Sequence, residues 1–576
     1  MQSDKNTSGM AGGKLSSGFA RGARPSVAVL LCSGFIALTQ LVGWSFAKAR
    51  AAGSIDPAFP PLPVSVIAVL VLWVLLYAAL ALLFRWFDRS RLHQGKDVSR
   101  KEERRAFMVV FVLMVLCWLP YLLAFLPGSL PWDGVRSMNQ FITDAPLENH
   151  HPVLMNALYA GLMTLGRSLY CDNAGLLLIV LFQYLVCAVS FSLMIRQMIA
   201  MRSPRWLVVA TTAFFCLCPL WGVFAQAAFK DTLFNGVFCL FVLEVVKNLN
   251  AGTKGLKPHW LTLFAFSLIV CFVRNNGVYI VLPTLLALML YFALAPRKDR
   301  KARARVASSR TSSVLAVASV AVAVAAVFFC ATKLLWPAMG VETREDKELM
   351  SVPFQQTARY LVEHPDDVTE SEWAAIDAIL PFDELAGLYN PDLSDPVKES
   401  MRDEGGIMDA DERAEYFAAW ASMGLRHPAT YARATLANTY AYFYPGIIIG
   451  QDIDRPVFPL YIQGLPINEE FDVWYIGSAE VREAVEGVLA DSLDLPVISA
   501  VYSPALYVLA LLVVAAYALS RKDALTLVVV LPCFVLLLTV LAGPLNGHLR
   551  YVLPLAAALP LLYACALRVP AKAPQG

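Results

Sequence analysis

Long apolar runs separated by short polar segments make up most of the chain. A run of roughly 18 to 25 apolar residues is long enough to cross the hydrocarbon core of a bilayer as an α-helix. We therefore predict an all-α polytopic membrane protein with about 12 transmembrane helices. The predicted spans lie near residues 25–47, 62–86, 106–126, 174–195, 206–226, 231–248, 259–273, 277–295, 312–336, 499–519, 524–543 and 549–568.

One further apolar run, residues 151–170, is broken by two glycines and by Arg167. Positive charge decides whether this run crosses the membrane, because cytoplasmic loops carry an excess of Lys and Arg. Segment 85–105 holds eight Lys or Arg, and segment 297–310 holds seven. These segments and both termini share one side only if 151–170 does not cross. We therefore predict cytoplasmic termini in a cell membrane and an interfacial helix in the first outer loop.

The predicted topology divides the chain into four regions. They are a cytoplasmic tail with three spans (1–126), a membrane core (127–336) that includes the outer loop 127–173, an extracytoplasmic domain (337–498) and a C-terminal three-span bundle (499–576). The third region contains 31 Asp or Glu against 10 Lys or Arg, an excess typical of a solvated surface. Its apolar residues recur at mixed helical spacing, so we expect a mainly helical domain.

Composition supports the membrane assignment and excludes other classes. Hydrophobic residues make up 58% of the chain and charged residues 16%, with a mean hydropathy of +0.57. Soluble domains carry about 25% charged residues, so most of this chain is expected in lipid. The basic residues fall in short clusters between apolar runs, which predicts no nucleic-acid partner. Nearly all of the 11 Cys lie in apolar runs without metal-binding spacing, so we interpret them as core residues.

Three cations stand at the predicted outer ends of spans, where positive charge is otherwise scarce: Lys230, Arg274 and Arg550. Charge beside an apolar helix is unfavourable unless it is paired or solvated. One interpretation is snorkelling or a local pair, for instance Lys230 with Asp231. The other is a convergent anion site in which Arg and Lys hold a phosphate, with His548 approaching from the C-terminal bundle. Three such cations on one face favour the anion site.

The first outer loop supplies acidic groups and histidines. Asp133 follows the third span closely, so it is expected at or just above membrane depth. A carboxylate there can act as a general base on a hydroxyl or bind a divalent metal. Asp144, Glu148, His150 and His151 follow in the same loop. The two histidines beside Glu148 permit a metal site, but adjacent histidines on a helix do not easily face one ion. We therefore favour His151 as the start of the interfacial helix.

These residues resemble the GT-C superfamily of membrane glycosyltransferases, which use polyprenyl-phosphate or polyprenyl-diphosphate sugar donors. The resemblance rests on Asp133, the interfacial helix, about a dozen spans and the late extracytoplasmic domain. It also rests on Arg550-Tyr551-Val552-Leu553-Pro554, which looks like the Arg-Tyr-x-x-Pro start of a late span in such enzymes. A closer likeness, to a bacterial membrane family of unknown function related to that superfamily, is carried by Pro127-Gly128 with Asp133, His150-His151-Pro152, Lys230-Asp231, Arg274-Asn275-Asn276-Gly277-x-Tyr279 and Arg550-Tyr551.

The resemblance implies a transferase that moves a sugar from a polyprenyl-phosphate-linked donor to an envelope acceptor on the extracytoplasmic face. Asp133 would be the base, and membrane lipid would surround the donor's tail. The acceptor, whether glycan, lipid or protein, is left open. The implied substrate-binding residues are His150, His151, Lys230, Asp231, Arg274, Asn275, Tyr279, His548, Arg550 and Tyr551.

Two departures from the superfamily bear on the chemistry. Protein O-mannosyltransferases carry Asp-Glu in the first loop, whereas this chain has Asp133-Gly134. Without a second acid at this position, the sequence does not identify a cofactor. A divalent metal is left open, and Asp144 or Glu148 is the candidate second carboxylate. The oligosaccharyltransferase signature WWDYG is absent from the sequence, which predicts against N-glycosylation of that type.

Two other classes of function remain as alternatives. A multi-span transporter or lipid flippase would also need intramembrane charge, but the halves show no internal repeat and no matching pair of broken spans. A non-catalytic envelope-assembly protein is the third class. Convergence of Asp133, Lys230, Arg274 and Arg550 on one cavity favours the transferase, and scattered side chains favour the assembly protein.

Overall fold

The computed structural model describes twelve stretches of the chain. They are residues 26–92, 95–96, 98–143, 146–254, 258–294, 303–342, 347, 349–403, 406–448, 457–463, 471–543 and 545–568. Within them the chain is helical, and extended pairing is limited to isolated bridges.

Apolar helices account for the part of the chain predicted to lie in the membrane. They are α1 (Val27–Ala51), α2 (Leu62–Leu92), α3 (Arg100–Ala124), α6 (Asp172–Ala200), α7 (Arg205–Leu217), α8 (Pro219–Ala225), α9 (Lys230–Lys254), α10 (Trp260–Val273), α11 (Gly277–Leu294), α12 (Arg303–Cys330), α20 (Pro504–Ser520), α21 (Ala524–Leu541) and α22 (Leu549–Ala566). A π-helical turn, Ala331–Leu335, extends α12.

Further helices lie between the apolar ones. They are α4 (Trp132–Ile142), α5 (Val153–Leu169), α13 (Ser351–Glu363), α14 (Glu370–Asp377), α15 (Phe382–Leu388), α16 (Asp395–Glu399), α17 (Ala410–Arg426), α18 (Pro428–Ala437) and α19 (Ala479–Asp494).

The prediction of an all-α polytopic membrane protein is confirmed. Among the described residues, nine helices are long and apolar enough to cross a bilayer, and the pair α7–α8 makes a tenth if it is one bent span. The apolar helices α10 and α20 are shorter, at 14 and 17 residues. Each of the twelve predicted runs therefore contains an apolar helix, although the bounds shift by several residues at some ends.

The fifth predicted span is broken between α7 and α8, which differ in direction by 48°. Cys218 at the break has an extended conformation, with ψ of 121°. It precedes Pro219, whose ring disfavours the helical conformation of the preceding residue and which has no N–H to continue the helix. All of α8 after the proline is buried, so the break directs the chain into the interior of the bundle.

Two helices form the centre of the bundle. In the most apolar stretch of each helix, 89% of the residues of α9 and 78% of those of α22 are buried. The corresponding share for α2 is 6%. The helices α9 and α22 pack on each other, and α6 packs on both. The centre of the protein is therefore built around α9 and α22, with the α1–α2 hairpin at the periphery.

The helix α5 lies where an interfacial helix is predicted and packs against α6. Their contact is close because it is lined by glycine: a Cβ on Gly166 would lie 2.1 Å from the backbone nitrogen of Gly175. Arg167 beside this contact forms an ion pair with Asp172 at 2.6 Å. The position of α5 along the outer membrane interface remains a prediction.

The acidic domain, residues 337–498, has a hydrophobic cluster of its own, centred on Phe354, Tyr360 and Tyr416. Its mainly helical character is confirmed in the residues described. Arg359, which is fully buried, connects this cluster to the α1–α2 loop. Its guanidinium group donates hydrogen bonds to Asp56 Oδ1 at 2.7 Å and to the Ile55 carbonyl at 3.0 Å.

Ion pairs inside the acidic domain predict a specific sensitivity to acid. Burial alone raises the pKa of Glu363, but hydrogen bonds from Arg433, Thr430 and Arg359 lower it to about 2. Hydrogen bonding from Arg426 is the main reason that the pKa of Glu372 is also about 2. Since both folded-state pKa values lie below the ordinary value of 4.5, these carboxylates stabilise the fold above pH 4.5.

We expect this stabilisation to be lost as the pH falls from about 4.5 towards 2. Hydrogen exchange of the α13, α17 and α18 peptides in detergent should show constant protection between pH 7 and pH 5, corrected for intrinsic rates, and a loss below that. Glu363→Gln should be less stable at pH 7 and have a flatter acid profile. An acid profile identical to that of the wild type would contradict this assignment.

Candidate functional site

Asp133 is placed by a short stretch of backbone pairing. The Ser129 N–H donates to the Gln226 carbonyl at 3.1 Å, and the Ala228 N–H donates to the Ser129 carbonyl at 2.8 Å. These bonds hold the segment before α4 against the segment before α9. Asp133 is the second residue of α4 and Asp231 the second residue of α9. The pairing therefore brings the start of α4 to the start of the central helix.

A buried glutamine supports this pairing from α6. Gln183 donates to the Ala227 carbonyl at 2.6 Å and to the Ala225 carbonyl at 3.1 Å. The side-chain carbonyl oxygen of Gln183, Oε1, accepts a hydrogen bond from the Tyr159 hydroxyl at 2.7 Å. Gln183 was not among the predicted site residues. The feature of the sequence that could have identified Gln183 is its position as an amide side chain in the middle of a long apolar run. A buried amide there needs hydrogen-bond partners.

The close approach of the two segments also explains the Asp133-Gly134 sequence. A Cβ on Gly134 would lie 2.2 Å from the Ala228 carbonyl oxygen and 3.0 Å from Leu130 Cδ1. No residue other than glycine fits beside that backbone oxygen without moving it. The absence of a second acid at this position therefore follows from the packing of α4 against the start of α9.

Four charged side chains form a continuous chain of ion pairs. Arg550 Nη1 lies 2.8 Å from Asp133 Oδ2, and Arg550 Nε lies 3.7 Å from Asp231 Oδ2. Arg274 Nη1 donates to the other oxygen of Asp231, Oδ1, at 2.5 Å. The order is Asp133–Arg550–Asp231–Arg274. Asp231, with 1% of its side chain exposed, lies beneath the two arginines, whereas Asp133 is 16% exposed.

Lys230 points to a histidine instead of to the neighbouring aspartate. Its Nζ lies 2.5 Å from His151 Nδ1. Burial and the charge of Lys230 hold the pKa of His151 well below its usual range, so the imidazole is neutral. A neutral ring that accepts at Nδ1 carries its proton on Nε2. That nitrogen is buried and has no hydrogen-bond partner among the residues that the structure describes. These contacts do not favour the alternative prediction of a local ion pair between Lys230 and Asp231.

The site has an excess of positive charge. Three cations, Lys230, Arg274 and Arg550, face the two carboxylates of Asp133 and Asp231, which leaves one positive charge uncompensated. Burial acts to raise the pKa of Asp133, but Arg550 and Lys230 outweigh it and hold the pKa far below the usual range. Asp133 is therefore ionised at neutral pH, and as long as Arg550 is bound to it, it is a weak base.

An open cleft of about 460 Å³, its mouth included, lies over Asp133 and Arg550. Its walls combine polar groups with rings and prolines from α4, α8, the acidic domain and the start of α22. The lining residues are Pro131, Trp132, Asp133, Phe224, Phe229, Val457, Pro459, Tyr461, His548 and Arg550. The apolar members of this wall and the three from the acidic domain were not predicted, because an isolated ring or proline carries no functional signal in a sequence this apolar.

A segment of the acidic domain is fixed against the Asp133 loop. The Leu130 N–H donates to the Tyr461 carbonyl at 3.0 Å, and the Gln463 N–H donates to the Leu130 carbonyl at 2.9 Å. Val457, Pro459 and Tyr461 thereby form one side of the cleft. The polar region between α12 and α20 therefore contributes directly to the site.

Other predicted residues have supporting positions. His548 lines the cleft, and its N–H donates to the Tyr442 hydroxyl at 3.2 Å. The Tyr551 ring lies under the guanidinium groups of Arg550 and Arg274, at 5.2 and 5.6 Å from the ring centre. Asn275 holds the histidine loop by donating to the Asn149 carbonyl at 2.8 Å.

The remaining predicted residues are distributed as follows. His150 packs edge-on against His151, with ring centres 4.5 Å apart. Glu148 lies 3.6 Å from Arg136 and is not among the residues that line the cleft. Tyr279 is 57% exposed on α11 and does not line the cleft. Asp144 lies outside the described residues.

The donor set around Asp133 does not fit a divalent metal. Both carboxylates of the ion-pair chain are bonded to arginine. In the part of the chain that the structure describes, no three His, Cys, Asp or Glu side chains are grouped to hold a metal ion. We therefore derive no step through a metal.

The fold and the site define a multi-pass helical membrane protein with a buried, cation-rich charge cluster at one end of its bundle. The model of a family of unknown function (DUF6020) matches residues 142–573, and the chain belongs to this family. The match includes every cation of the site and begins after Asp133. No curated protein and no solved structure matches the chain.

The close contact at Gly134 predicts that adding one methyl group there lowers the stability of the protein. Gly134→Ala should lower the midpoint of thermal unfolding in detergent by several degrees, because the Ala228 carbonyl must move to admit the new Cβ. Gly161→Ala on α5 is the matched control, since nothing lies within 4 Å of its added Cβ. In a helix interior that change should be neutral or stabilise by up to about 1 kcal/mol. Equal midpoints for the two variants would contradict the packing described.

Proposed function

We propose that this protein is a membrane glycosyltransferase that moves a sugar from a polyprenyl-phosphate-linked donor to an envelope acceptor. The observation that carries the proposal is an open cleft lined by Asp133 and Arg550, with Arg274 linked to Arg550 through Asp231 behind it. Arg274 and Lys230 do not line the cleft. The proposal also draws on the resemblance of the sequence motifs to the GT-C superfamily.

The composition of the cleft suits a lipid-linked phosphate. Arg550 at the cleft, backed by the excess positive charge of the neighbouring cluster, would hold the phosphate, and arginine is well matched to phosphate oxygens. Phe224, Phe229 and Val457 provide an apolar wall beside these charges, where the first isoprene units would pack. The buried His151 Nε2–H is a further donor within the same group of residues.

The chemistry requires one base and one stabilised leaving group. Asp133 accepts the proton of the acceptor hydroxyl as its oxygen forms a bond to the anomeric carbon of the sugar. The bond from that carbon to the phosphate oxygen breaks, and its electron pair leaves with the polyprenyl phosphate. Arg550, Arg274 and Lys230 stabilise the negative charge that develops on this leaving group.

We place this reaction on the extracytoplasmic side of a cell membrane, with both termini in the cytoplasm. The support for this orientation is the density of Lys and Arg in segments 85–105 and 297–310. The acidic domain, one segment of which borders the cleft, would then face the cell exterior or the periplasm.

Complementation of a deletion strain tests the proposal. We expect mass spectrometry of envelope glycans and glycolipids to show one sugar modification lost on deletion and restored by the wild type. Asp133→Asn should reduce the modification by about 10² to 10⁴-fold, the usual contribution of a general base, at unchanged membrane abundance. Asp366→Asn, a change at an exposed aspartate of the acidic domain, is the control and should restore it fully.

Two outcomes would overturn the proposal. One is an unchanged glycan and glycolipid profile in the deletion strain. The other is full restoration by Asp133→Asn. If that variant were active and the deletion strain instead accumulated a lipid-linked sugar on the cytoplasmic side, the result would support transport.

A further inference from the structure

Arg550 has two carboxylate partners, and its contacts with them are unequal. Toward Asp133 it makes a full ion pair, with Nη1 at 2.8 Å from Oδ2. Toward Asp231 the nearest atoms, Nε and Oδ2, are 3.7 Å apart. Both of these atoms are buried, and within the described stretches of the chain neither has a hydrogen-bond partner. A donor and an acceptor without partners thus face each other about 1 Å beyond the length of a charge-assisted hydrogen bond.

The surroundings restrict how Arg550 can move. The rings of Phe229 and Tyr551 lie near its guanidinium group, at 5.8 and 5.2 Å from the ring centres. Asp231 is held in place because Arg274 binds its other oxygen at 2.5 Å. A small movement of Arg550 toward Asp231 would complete a hydrogen bond there and would separate Arg550 from Asp133.

We propose that Asp231 is a positioning residue that accepts Arg550 when an anionic lipid phosphate enters the cleft, and that this transfer releases Asp133 to act as the base. The inference rests on the proposed function and assigns Asp231 a different role from the substrate contact implied by its motif. Asp231 is almost completely buried beneath the arginines, so it acts through Arg550.

The mechanism resolves a conflict within the site. A carboxylate bound to arginine is a weak base, whereas the sugar-transfer reaction requires a carboxylate that accepts a proton. An incoming phosphate provides an alternative partner for Arg550 on the cleft side, and Asp231 provides one on the buried side. Asp133 then loses its counter-ion only when the substrate is in place, so the base is formed in the donor complex.

The experiment measures the reactivity of Asp133 without any sugar transfer. The purified full-length protein is reconstituted in phosphatidylcholine vesicles with or without undecaprenyl phosphate and treated with a hydrophobic carbodiimide, which modifies protonated carboxyl groups. Peptide mass spectrometry then quantifies the labelled Asp133. We expect weak labelling in phosphatidylcholine alone and a several-fold increase with undecaprenyl phosphate. Phosphatidylglycerol vesicles and inorganic phosphate distinguish a polyprenyl phosphate from any anionic headgroup or free phosphate.

Variants of Asp231 separate positioning from a structural role. Asp231→Asn should bind undecaprenyl phosphate several-fold more tightly, because a negative charge is removed, yet should lose the increase in Asp133 labelling. Asp231→Glu should recover part of that increase. Glu244→Gln removes another buried, ion-paired carboxylate of α9, near its opposite end, and should behave as the wild type. A merely structural Asp231 would instead weaken binding when substituted.

Three results would overturn the inference. The first is an increase in labelling in Asp231→Asn equal to that of the wild type. The second is weaker lipid binding by Asp231→Asn, and the third is no increase in the wild type with any of the anionic probes. An unchanged glycan profile in the deletion strain would contradict the transferase proposal. Together with the expected labelling of Asp133, it would still support the movement of Arg550 from Asp133 to Asp231.

Discussion

Arg550 lies at the start of a central helix with a carboxylate on either side of its guanidinium group. A buried charge without partners is unfavourable by several kcal/mol, so the parts of the chain that supply those partners must come together for the bundle to be stable. Asp133 comes from α4, Asp231 from α9, and Arg274 from the end of α10. The ion-pair chain therefore fixes the relative positions of helices that are far apart in the sequence.

The rest of the fold holds this chain of charges in place. The helices α9 and α22, which carry Asp231 and Arg550 at their starts, are among the most deeply buried of the bundle. Backbone pairing at Ser129 and the hydrogen bonds of Gln183 hold the Asp133 loop against α9, and Gly134 permits the contact. A site built on rigid central helices keeps its geometry, while the acidic domain provides one wall of the cleft.

The proposed chemistry and the proposed role of Asp231 draw on the same arrangement. In the proposed function, the excess of positive charge and the neutral His151 would bind a phosphate, and the apolar wall would contact the lipid that carries it. Asp133 is bound to Arg550. The proposed chemistry and the proposed role of Asp231 are therefore two consequences of one ion-pair chain, in its free and its occupied form.

The sequence by itself determined where the apolar helices lie, because a run of apolar residues is a local property and requires a helix in lipid whatever surrounds it. It also identified Lys230, Arg274 and Arg550 as exceptional, since charges at span ends stand out against an apolar background. Only the tertiary structure decided the partners: Arg274 for Asp231, His151 for Lys230, and the cleft wall from the acidic domain. Partners of this kind depend on how distant segments pack, and many pairings of the same charges satisfy the local pattern equally well.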